Sequence, residues 1–596
     1  MFSDLNERQK EAVFWGNGPL LIVAGAGSGK TKTLTSRLAF LISERKVDPQ
    51  RIIAITFTNK AAGEMKERVE KMTKNPKISR QPFLGTFHSL GARILRKEAG
   101  LFGRTADFSI FDGDDSLRLV KKIVKNANLS SKKLSPAAFL KEFSRVKSEL
   151  IEIGDFLNGG EKEQLVWEFF EDYETALERN NAFDFDDLIE KVVRLFREDK
   201  KVWERYRSQY DYVLVDEYQD INTAQYWMLR LLVGPHNNIN VVGDDSQSIY
   251  SFRFSDFRNF LNFERDWPQA KTVFLEQNYR STQNIIESSS AVIARNTLGK
   301  LKKLWTNNSR GTLIKVIEHS DEFEEADFIV NRAREFINQK KSVGILFRTN
   351  AQSRALEQLF LEYGVSYNLF GALSFYERKE IKDIVAALRF AFNPKDEMSW
   401  ERLEKSFSKK TAVVLKNGLL EKRKNSSPAD LVGYFLKTTD YFEEIKKEYV
   451  NFQERQENIQ ELIYFAGQFE SLGNFLEKIA LASPLDLTLG RRKKKKLNLQ
   501  AASLMTIHLA KGLEFDVVLV VGVNEGILPH QRSLFSGDDL EEERRLMYVA
   551  MTRAREELFL NFFDTPSRFL YEIPPEKVEF QVEKPLDEEE RWIEYN

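Results

Sequence analysis

The chain contains no cysteine. Disulfides, zinc ribbons and thiolate-held iron–sulfur clusters are thereby excluded, and a reducing, cytoplasmic setting is expected. Histidine is scarce as well. The five residues His88, His236, His319, His508 and His530 are scattered and give no support to a histidine metal cluster. No apolar run approaches the ~20 residues of a membrane-spanning helix, so no membrane association is expected. The opening MFSDLNERQK lacks the basic-then-apolar pattern of a signal peptide. Neither sign of charge dominates: 89 basic against 90 acidic residues leave a net charge of −1. A nucleic-acid surface would therefore be a local groove, not a generally basic protein. No short-period repeat is evident.

What is present is a chain of 596 residues, 42% hydrophobic and 30% charged, which exceeds a single core and implies several globular domains. Near the N-terminus an apolar strand, Leu20 to Ala24, runs into Gly25, Ala26, Gly27, Ser28, Gly29, Lys30, Thr31 and Lys32. A helical period follows, with Leu34, Leu38 and Leu41 on one face. Strand, glycine loop and helix in this order form a phosphate-binding loop. Glycines let backbone N–H groups curl round phosphates, and the helix N-terminus adds positive partial charge. Lys30 is placed to reach the terminal phosphates and Thr31 to take magnesium. Ala24 stands where the usual pattern has its first glycine.

A second apolar strand, in YVLVDEYQD (212–220), ends in Asp216, Glu217 and Asp220. Carboxylates at the end of a buried strand are costly unless water, a cation or a partner charge meets them. A solvated acidic turn would satisfy them. With a phosphate loop in the same chain, a magnesium site fits better: Asp216 for the metal, Glu217 as base for an attacking water.

Strand-like runs alternate with helical periods at 20–24, 52–57, 212–216, 239–243, 271–276, 343–347 and 516–522, which predicts an α/β protein with parallel sheets. The alternation falls in two blocks, the second beginning near Lys271 and resuming near Ser503. Helical, Lys/Glu/Leu/Phe-rich stretches interrupt each block. The one strong charge run, Arg491 to Lys496, reads first as a solvated linker and second as a nucleic-acid contact.

These residues resemble the superfamily 1 DNA helicases of the UvrD/Rep/PcrA type along nearly the whole chain. The matching stretches come in the family's order: LNERQKEAV, AGAGSGKT, AITFTNKAAGEM, GTFHSLGARILR, VDEYQD, VVGDDSQSIYSFR, LEQNYRST, LMTIHLAKGLEFDVVLVVGVNEGILPH and EEERRLMYVAMTRARE. The resemblance implies two RecA-like parallel-sheet P-loop cores, each carrying a helical insertion. The first core would comprise 1–104 and 183–276, with its insertion at 105–182. The second would comprise 277–390 and 500–570, with a shortened insertion at 391–499 and a tail at 571–596. It also implies ATP-driven 3′-to-5′ movement on single-stranded DNA and at single-strand/duplex junctions, with ATP and Mg2+ required. A monomer is expected, with a functional dimer on DNA left open.

Residue roles follow from the same resemblance. Gln9 would read the adenine edge, Tyr279 and Arg37 would sandwich the base, and Glu514 would touch the ribose. Gln247 resembles the γ-phosphate sensor. Arg280 and Arg553 would reach across from the second core as arginine fingers, while Arg545 and Arg555 are left as surface residues. Phe57, Tyr250 and Phe252 occupy positions where rings receive bases. Asn59, His88, Arg253, His508 and His530 resemble other residues of the DNA groove. The stretch FDFDDL (183–188) also matches, and reads most simply as an acidic helix start returning the chain to the first core.

Three features depart from the pattern. Arg253 is followed by Phe254 and Ser255 where the family has Gly-Ala, and phenylalanine does not adopt positive φ cheaply. In the second insertion SWERLEKSFSKKTAVV (399–414) stands where the family has a Gly-Ile-Gly turn. The long C-terminal extension of many relatives is expected to be absent. The competing readings are a translocase that displaces proteins with little unwinding and a nucleotide-gated DNA-binding protein. The joint presence of Lys30, Asp216, Glu217, Gln247, Arg280 and Arg553 argues against the latter.

Overall fold

The computed structural model describes residues 2–73, 81–127, 134–152, 154, 160–371, 375–449, 452–481 and 501–582. The Arg491–Lys496 run and the last part of the tail, 583–596, lie outside them.

Six strands form the first sheet: β1 (Leu20–Ala24), β2 (Ile52–Ile55), β3 (Phe83–Gly85), β4 (Tyr212–Val215), β5 (Ile239–Gly243) and β6 (Lys271–Leu275). All pair in parallel, in the order β3-β2-β4-β5-β1-β6. Strands β1, β2, β4 and β5 are buried at every position, because helices cover both faces of a parallel sheet. Lys271–Leu275 is the edge strand of this sheet, beside β1, so the second block starts after it and not at Lys271.

The second sheet has seven parallel strands: β7 (Ile314–His319), β8 (Val343–Phe347), β9 (Tyr367–Leu369), β10 (Ala502–Thr506), β11 (Phe515–Val520), β12 (Ala554–Phe563) and β13 (Val578–Val582). Their order is β9-β10-β8-β11-β12-β7-β13. Each sheet thus has helices on both faces, the doubly wound arrangement expected from the alternation.

Both sheets are interrupted by helical units. The first, largely helices Gly113–Asn126, Pro136–Glu149 and Glu161–Arg179, has its own aromatic-rich core. A small parallel ribbon, Ser109–Phe111 against Ala182–Asp184, ties its entry to its exit. The acidic stretch after it starts the helix Asp187–Glu198 and surrounds a fully buried lysine: Lys147 Nζ lies 2.7 Å from Asp184, 2.7 Å from Glu174 and 2.8 Å from Asp187. The second unit packs the helices from Lys379–Phe392 to Leu472–Ala480 round a separate core, so it begins before the expected residue 391. It is fastened to the first unit by polar contacts, among them Arg389 with Asp115 and Ser109 Oγ donating to Asp396 at 2.8 Å. The stretch 399–414 runs from the helix Glu397–Ser406 through a connection at Phe407 and Ser408 into the helix Lys409–Lys422, which Ser408 caps.

Candidate nucleotide and DNA sites at the junction of the two cores

In the first sheet β4, β5 and β1 are neighbours, so their carboxyl ends form a row. That edge is where open parallel sheets bind ligands. β1 delivers the phosphate loop, β4 delivers Asp216 and Glu217, and β5 delivers Asp244 and Gln247. In the loop Gly27 and Gly29 take φ of 67° and 84°, which side chains rarely adopt. Ser28 Oγ donates to the Gly25 carbonyl at 2.8 Å and closes the turn. Ala24 ends β1 and is buried, as are Ala26 and Ser28. Lys30 opens the helix Lys30–Ser43.

The Lys30 ammonium is buried and has no hydrogen-bond partner. Glu217 Oε2 and Asp244 Oδ2 both stand 4.0 Å away, too far to bond. A buried ammonium without a hydrogen-bond partner, beside a glycine loop at a helix N-terminus, suits a phosphate. Thr31 Oγ1 donates to Asp216 Oδ2 at 3.0 Å. Burial, then the charge of Glu217, pushes the Asp216 carboxyl up to about 7. A hydroxyl and a strained carboxylate side by side fit a divalent cation. For Glu217, burial pushes upward, but Lys30 and Lys511 outweigh it and hold the carboxyl below its ordinary value. The residue itself sits at φ 54°, and Gln219 Nε2 donates to its Oε2 at 2.6 Å.

The second core closes over this row. Asn278 Nδ2 donates to the Ala26 carbonyl at 2.7 Å, and Tyr279 N donates to the Gly27 carbonyl at 3.0 Å. A Cβ on Gly27 would come within 2.9 Å of Arg280 Cβ. Arg280 Nε donates to Glu514 Oε2 at 2.6 Å, which brings those two candidates together. Glu514 also pairs with Arg555, a half-exposed residue as expected. Arg553 is buried, and its Nη2 donates to Gln247 Oε1 at 3.2 Å. Burial, with Arg280 nearby, lowers its guanidinium to about 9. Gln247 Nε2 donates in turn to Asp244 Oδ2 at 2.6 Å.

On the base side, Gln9 is buried. Its Nε2 donates to the Ser28 carbonyl at 3.0 Å and its Oε1 accepts from Asn6 N at 3.1 Å, tying the N-terminal helix to the loop. Tyr279 is 49% exposed, and its hydroxyl accepts from Asn6 Nδ2 at 2.8 Å. Lys32 Nζ donates to the Asp4 carbonyl at 3.0 Å nearby. Arg37 does not join them. It is fully buried, and its guanidinium donates to Asn240 Oδ1 and to the carbonyls of Val13, Trp15 and Gly16. It braces the loop after the first helix and has no face to offer a base; burial lowers it to about 10.

Beyond Gln247 the chain enters an aromatic pocket. Phe57 and Tyr250 are stacked at 5.0 Å and 18°. Phe252 meets His508 edge-on at 5.4 Å, and Arg253 lies over the Tyr250 ring at 5.8 Å and the Phe252 ring at 5.6 Å. Asn59, His88, Phe57, Tyr250, Phe252 and Arg253 line a cavity of about 470 Å³. Burial lowers the imidazoles of His88 to about 4 and His508 to about 3, with Arg348 and Arg253 adding to His508, so both are neutral polar groups. Asn59 Nδ2 donates to the Leu481 carbonyl at 2.5 Å, so the second helical unit reaches this pocket. His530 lies elsewhere, in a separate open groove of the second core with Phe323, Arg354 and Ile527. Phe254 keeps the left-handed backbone, φ 62°, that glycine would take more cheaply.

Two residues were not singled out in the sequence, although Lys511 lies within the matching stretch LMTIHLAKGLEF. Lys511 donates to Asp220 and, at 2.6 Å, to the Gln247 carbonyl, and stands 4.9 Å from the Tyr250 ring centre. It thereby meets the third carboxylate of the acidic run. Lys302 is paired with Asp244 at 2.7 Å and with Asp245; burial opposes its charge, but the two carboxylates hold the ammonium above its ordinary value. Arg545, expected at the surface, is buried and its Nε donates to the Ser248 carbonyl at 2.8 Å, across the junction. Among the described residues, no helix is long and apolar enough to cross a membrane.

Both halves of the chain match known protein families. The UvrD/REP helicase N-terminal domain matches residues 5–268, and the UvrD-like helicase C-terminal domain matches residues 273–451 and 412–565. The ATP-dependent DNA helicase PcrA of Bacillus subtilis (strain 168) is 39% identical over 649 residues, covering 98% of this chain and 87% of that protein. The protein of the same name from Staphylococcus aureus (strain Mu50) is 37% identical over 651 residues, covering 97% and 87%. That from Staphylococcus epidermidis (strain ATCC 12228) is 37% identical over 647 residues, covering 96% and 87%. With both halves matched and this identity sustained end to end, the chain belongs to the UvrD/Rep/PcrA helicase family.

Proposed function

We propose that the protein hydrolyses ATP between its two cores and uses the cycle to move 3′ to 5′ along single-stranded DNA and separate strands. The observation that carries the reading is the meeting of groups from both cores beside the phosphate loop. Lys30 waits unpartnered in the first core, Arg280 and Arg553 arrive from the second, and Gln247 is bonded to Arg553.

In this reading Lys30 and the loop N–H groups hold the terminal phosphates. Glu217 takes a proton from the water that attacks the γ-phosphorus. Arg280 and Arg553 stabilise charge on the transferring phosphoryl group, where catalysis is chiefly electrostatic. Thr31 and Asp216 would hold magnesium, which offsets phosphate charge. Glu514, freed from Arg280 by the phosphate, is available to the ribose. The polarity and the adenine contacts of Gln9 and Tyr279 are carried by family likeness.

Coupling to DNA has a short route. Gln247 and Tyr250 are three residues apart, and Lys511 of the second core touches both. ATP draws the cores together and hydrolysis releases them, a two-state element biased by differential contacts. The Phe57–Tyr250 stack leaves no gap for a base, so DNA must part these rings, and parting them moves the segment that holds Gln247. The decisive measurement is ATPase rate with and without single-stranded DNA, paired with unwinding of 3′-tailed and 5′-tailed duplexes. An ATPase indifferent to DNA, or unwinding only from 5′ tails, sinks the proposal. A translocase with little unwinding is favoured by one feature, the lack of any glycine in the stretch 399–414. It predicts protein displacement from single strands with poor strand separation.

A further inference from the structure

Between helix Gln283–Ile293 and the short strand Trp305–Thr306, the chain leaves the second core and lies across the nucleotide site of the first. One end of this strap is fixed to the second core, where Asn296 Nδ2 donates to the Glu541 carbonyl at 3.0 Å and Thr297 N donates to Glu541 Oε1 at 2.7 Å. The other end rests on the phosphate loop: a Cβ on Gly25 would come within 2.2 Å of Leu304 Cδ2. Between them Lys300 N donates to Asp245 Oδ2 at 2.9 Å, and Lys302 inserts its ammonium between Asp244 and Asp245.

Asp244 is fully buried and has two cations near it. Lys302 Nζ is 2.7 Å from Oδ1, and Lys30 Nζ is 4.0 Å from Oδ2. Oδ2 is further occupied by Gln247 Nε2 at 2.6 Å, and Oδ1 by Ser246 N at 3.2 Å. A buried carboxylate needs a counter-ion. If Lys302 did not supply it, the nearest remaining ammonium would be Lys30, the group that must stay available to phosphate.

We infer that Lys302 is a positioning residue for nucleotide binding: it neutralises Asp244 so that Lys30 remains free, and it makes that neutralisation depend on the second core being in place. The inference rests on the proposed ATPase reading. It gives the second core a role in the site beyond its arginines, since withdrawing the strap would hand Lys30 to Asp244 and weaken the hold on phosphate.

The test is steady-state ATPase on DNA for Lys302→Met, Lys302→Arg, Asp244→Asn and the Asp244→Asn/Lys302→Met pair, with thermal melts as folding controls. Lys302→Met should raise KM for ATP by tenfold or more, while Lys302→Arg stays within threefold of the parent. Once Asp244 is neutral, removing Lys302 should change KM by less than twofold. If Lys302→Met does not fold, Lys302→Gln, which keeps a donor without the charge, carries the same comparison. A parental KM in the uncharged variant, or an equal KM increase in the Asp244→Asn background, overturns the inference. A parent protein that does not hydrolyse ATP overturns the underlying reading instead.

Discussion

Replacing Glu217 with glutamine should make the protein bind ATP more tightly and turn it over far more slowly. The change is isosteric, and the new amide oxygen can still accept from Gln219 Nε2, now 2.6 Å from Glu217 Oε2. The left-handed backbone at φ 54° is equally strained with either side chain. What changes is charge. Glu217 Oε2 and Asp244 Oδ2 each lie 4.0 Å from Lys30 Nζ. At an effective dielectric constant of ~20 the Glu217 attraction amounts to about 4 kcal/mol, while that of Asp244 is largely offset by Lys302 at 2.7 Å. Glu217 competes with phosphate for the ammonium and also repels the phosphate. Removing its charge leaves Asp244 in place, and water screens part of the remainder. A net gain of about 1.4 kcal/mol, or about tenfold in ATP affinity, is expected. The amide cannot accept the proton of the attacking water, so kcat should fall by about 10²- to 10⁴-fold. Stopped-flow binding of a fluorescent ATP analogue reads the first effect and single-turnover hydrolysis the second. Turnover near the parental rate would remove Glu217 from the base role. Slow turnover with weakened binding would refute the electrostatic account of Lys30.

Three further outcomes are expected. Arg280→Ala and Arg553→Ala should each lower kcat by about 10³-fold or more while ADP affinity changes little, because ADP lacks the phosphate they address; equal losses in ADP binding and turnover, measured by titration and steady-state kinetics, would assign them a structural role. Phe252→Ala removes a 56% exposed ring and should weaken single-stranded DNA binding by about 1–3 kcal/mol, leaving DNA-independent ATPase intact. A salt titration of the same complexes should give a slope unchanged by the substitution, since the ring contacts no phosphate. Glu325, buried on the helix Glu322–Asn338, accepts from Gly522 N at 2.8 Å, and burial pushes its carboxyl up to about 8. The unfolded chain releases that proton near ~4.3, so the folded state holds an extra proton between these values. Its contribution to stability is full below the lower value and is lost as pH rises toward the upper. Glu325→Gln should therefore flatten the fall in melting temperature between pH 5 and pH 8; an unchanged slope would mean that Glu325 is not the titrating group.

Much of this arrangement was legible because its signals are local. A phosphate loop announces itself in eight consecutive residues, and a central parallel strand in four apolar ones followed by acid. The position of Asp216 beside Thr31 follows once β4 and β1 share a sheet edge, which the alternation of strand and helix already implies. Burial and partnership across the junction are different in kind. Arg37 stands on the first helix face after the loop and looks, in one dimension, as available as Lys32. Only the return of residues 13–16 over it turns its guanidinium into a brace. Arg545 sits in a charged helix whose pattern reads as surface, yet the helix packs against Ser248 of the other core. Lys302 belongs to a stretch with several lysines and Lys511 stands alone in a largely apolar one, and what distinguishes them is a pair of carboxylates more than fifty residues away for the first and Asp220 for the second. Phe254 is the converse case. The sequence departs from glycine there, but the left-handed turn persists, because the hydrogen bonds from Phe254 N to Ser251 and from Ser255 N to Tyr250 outweigh a local cost of about 1–2 kcal/mol. A turn that carries Tyr250 and Phe252 on one side and Gln247 on the other is held by both sites at once, so its conformation is set by what it connects and not by the residue at its tip.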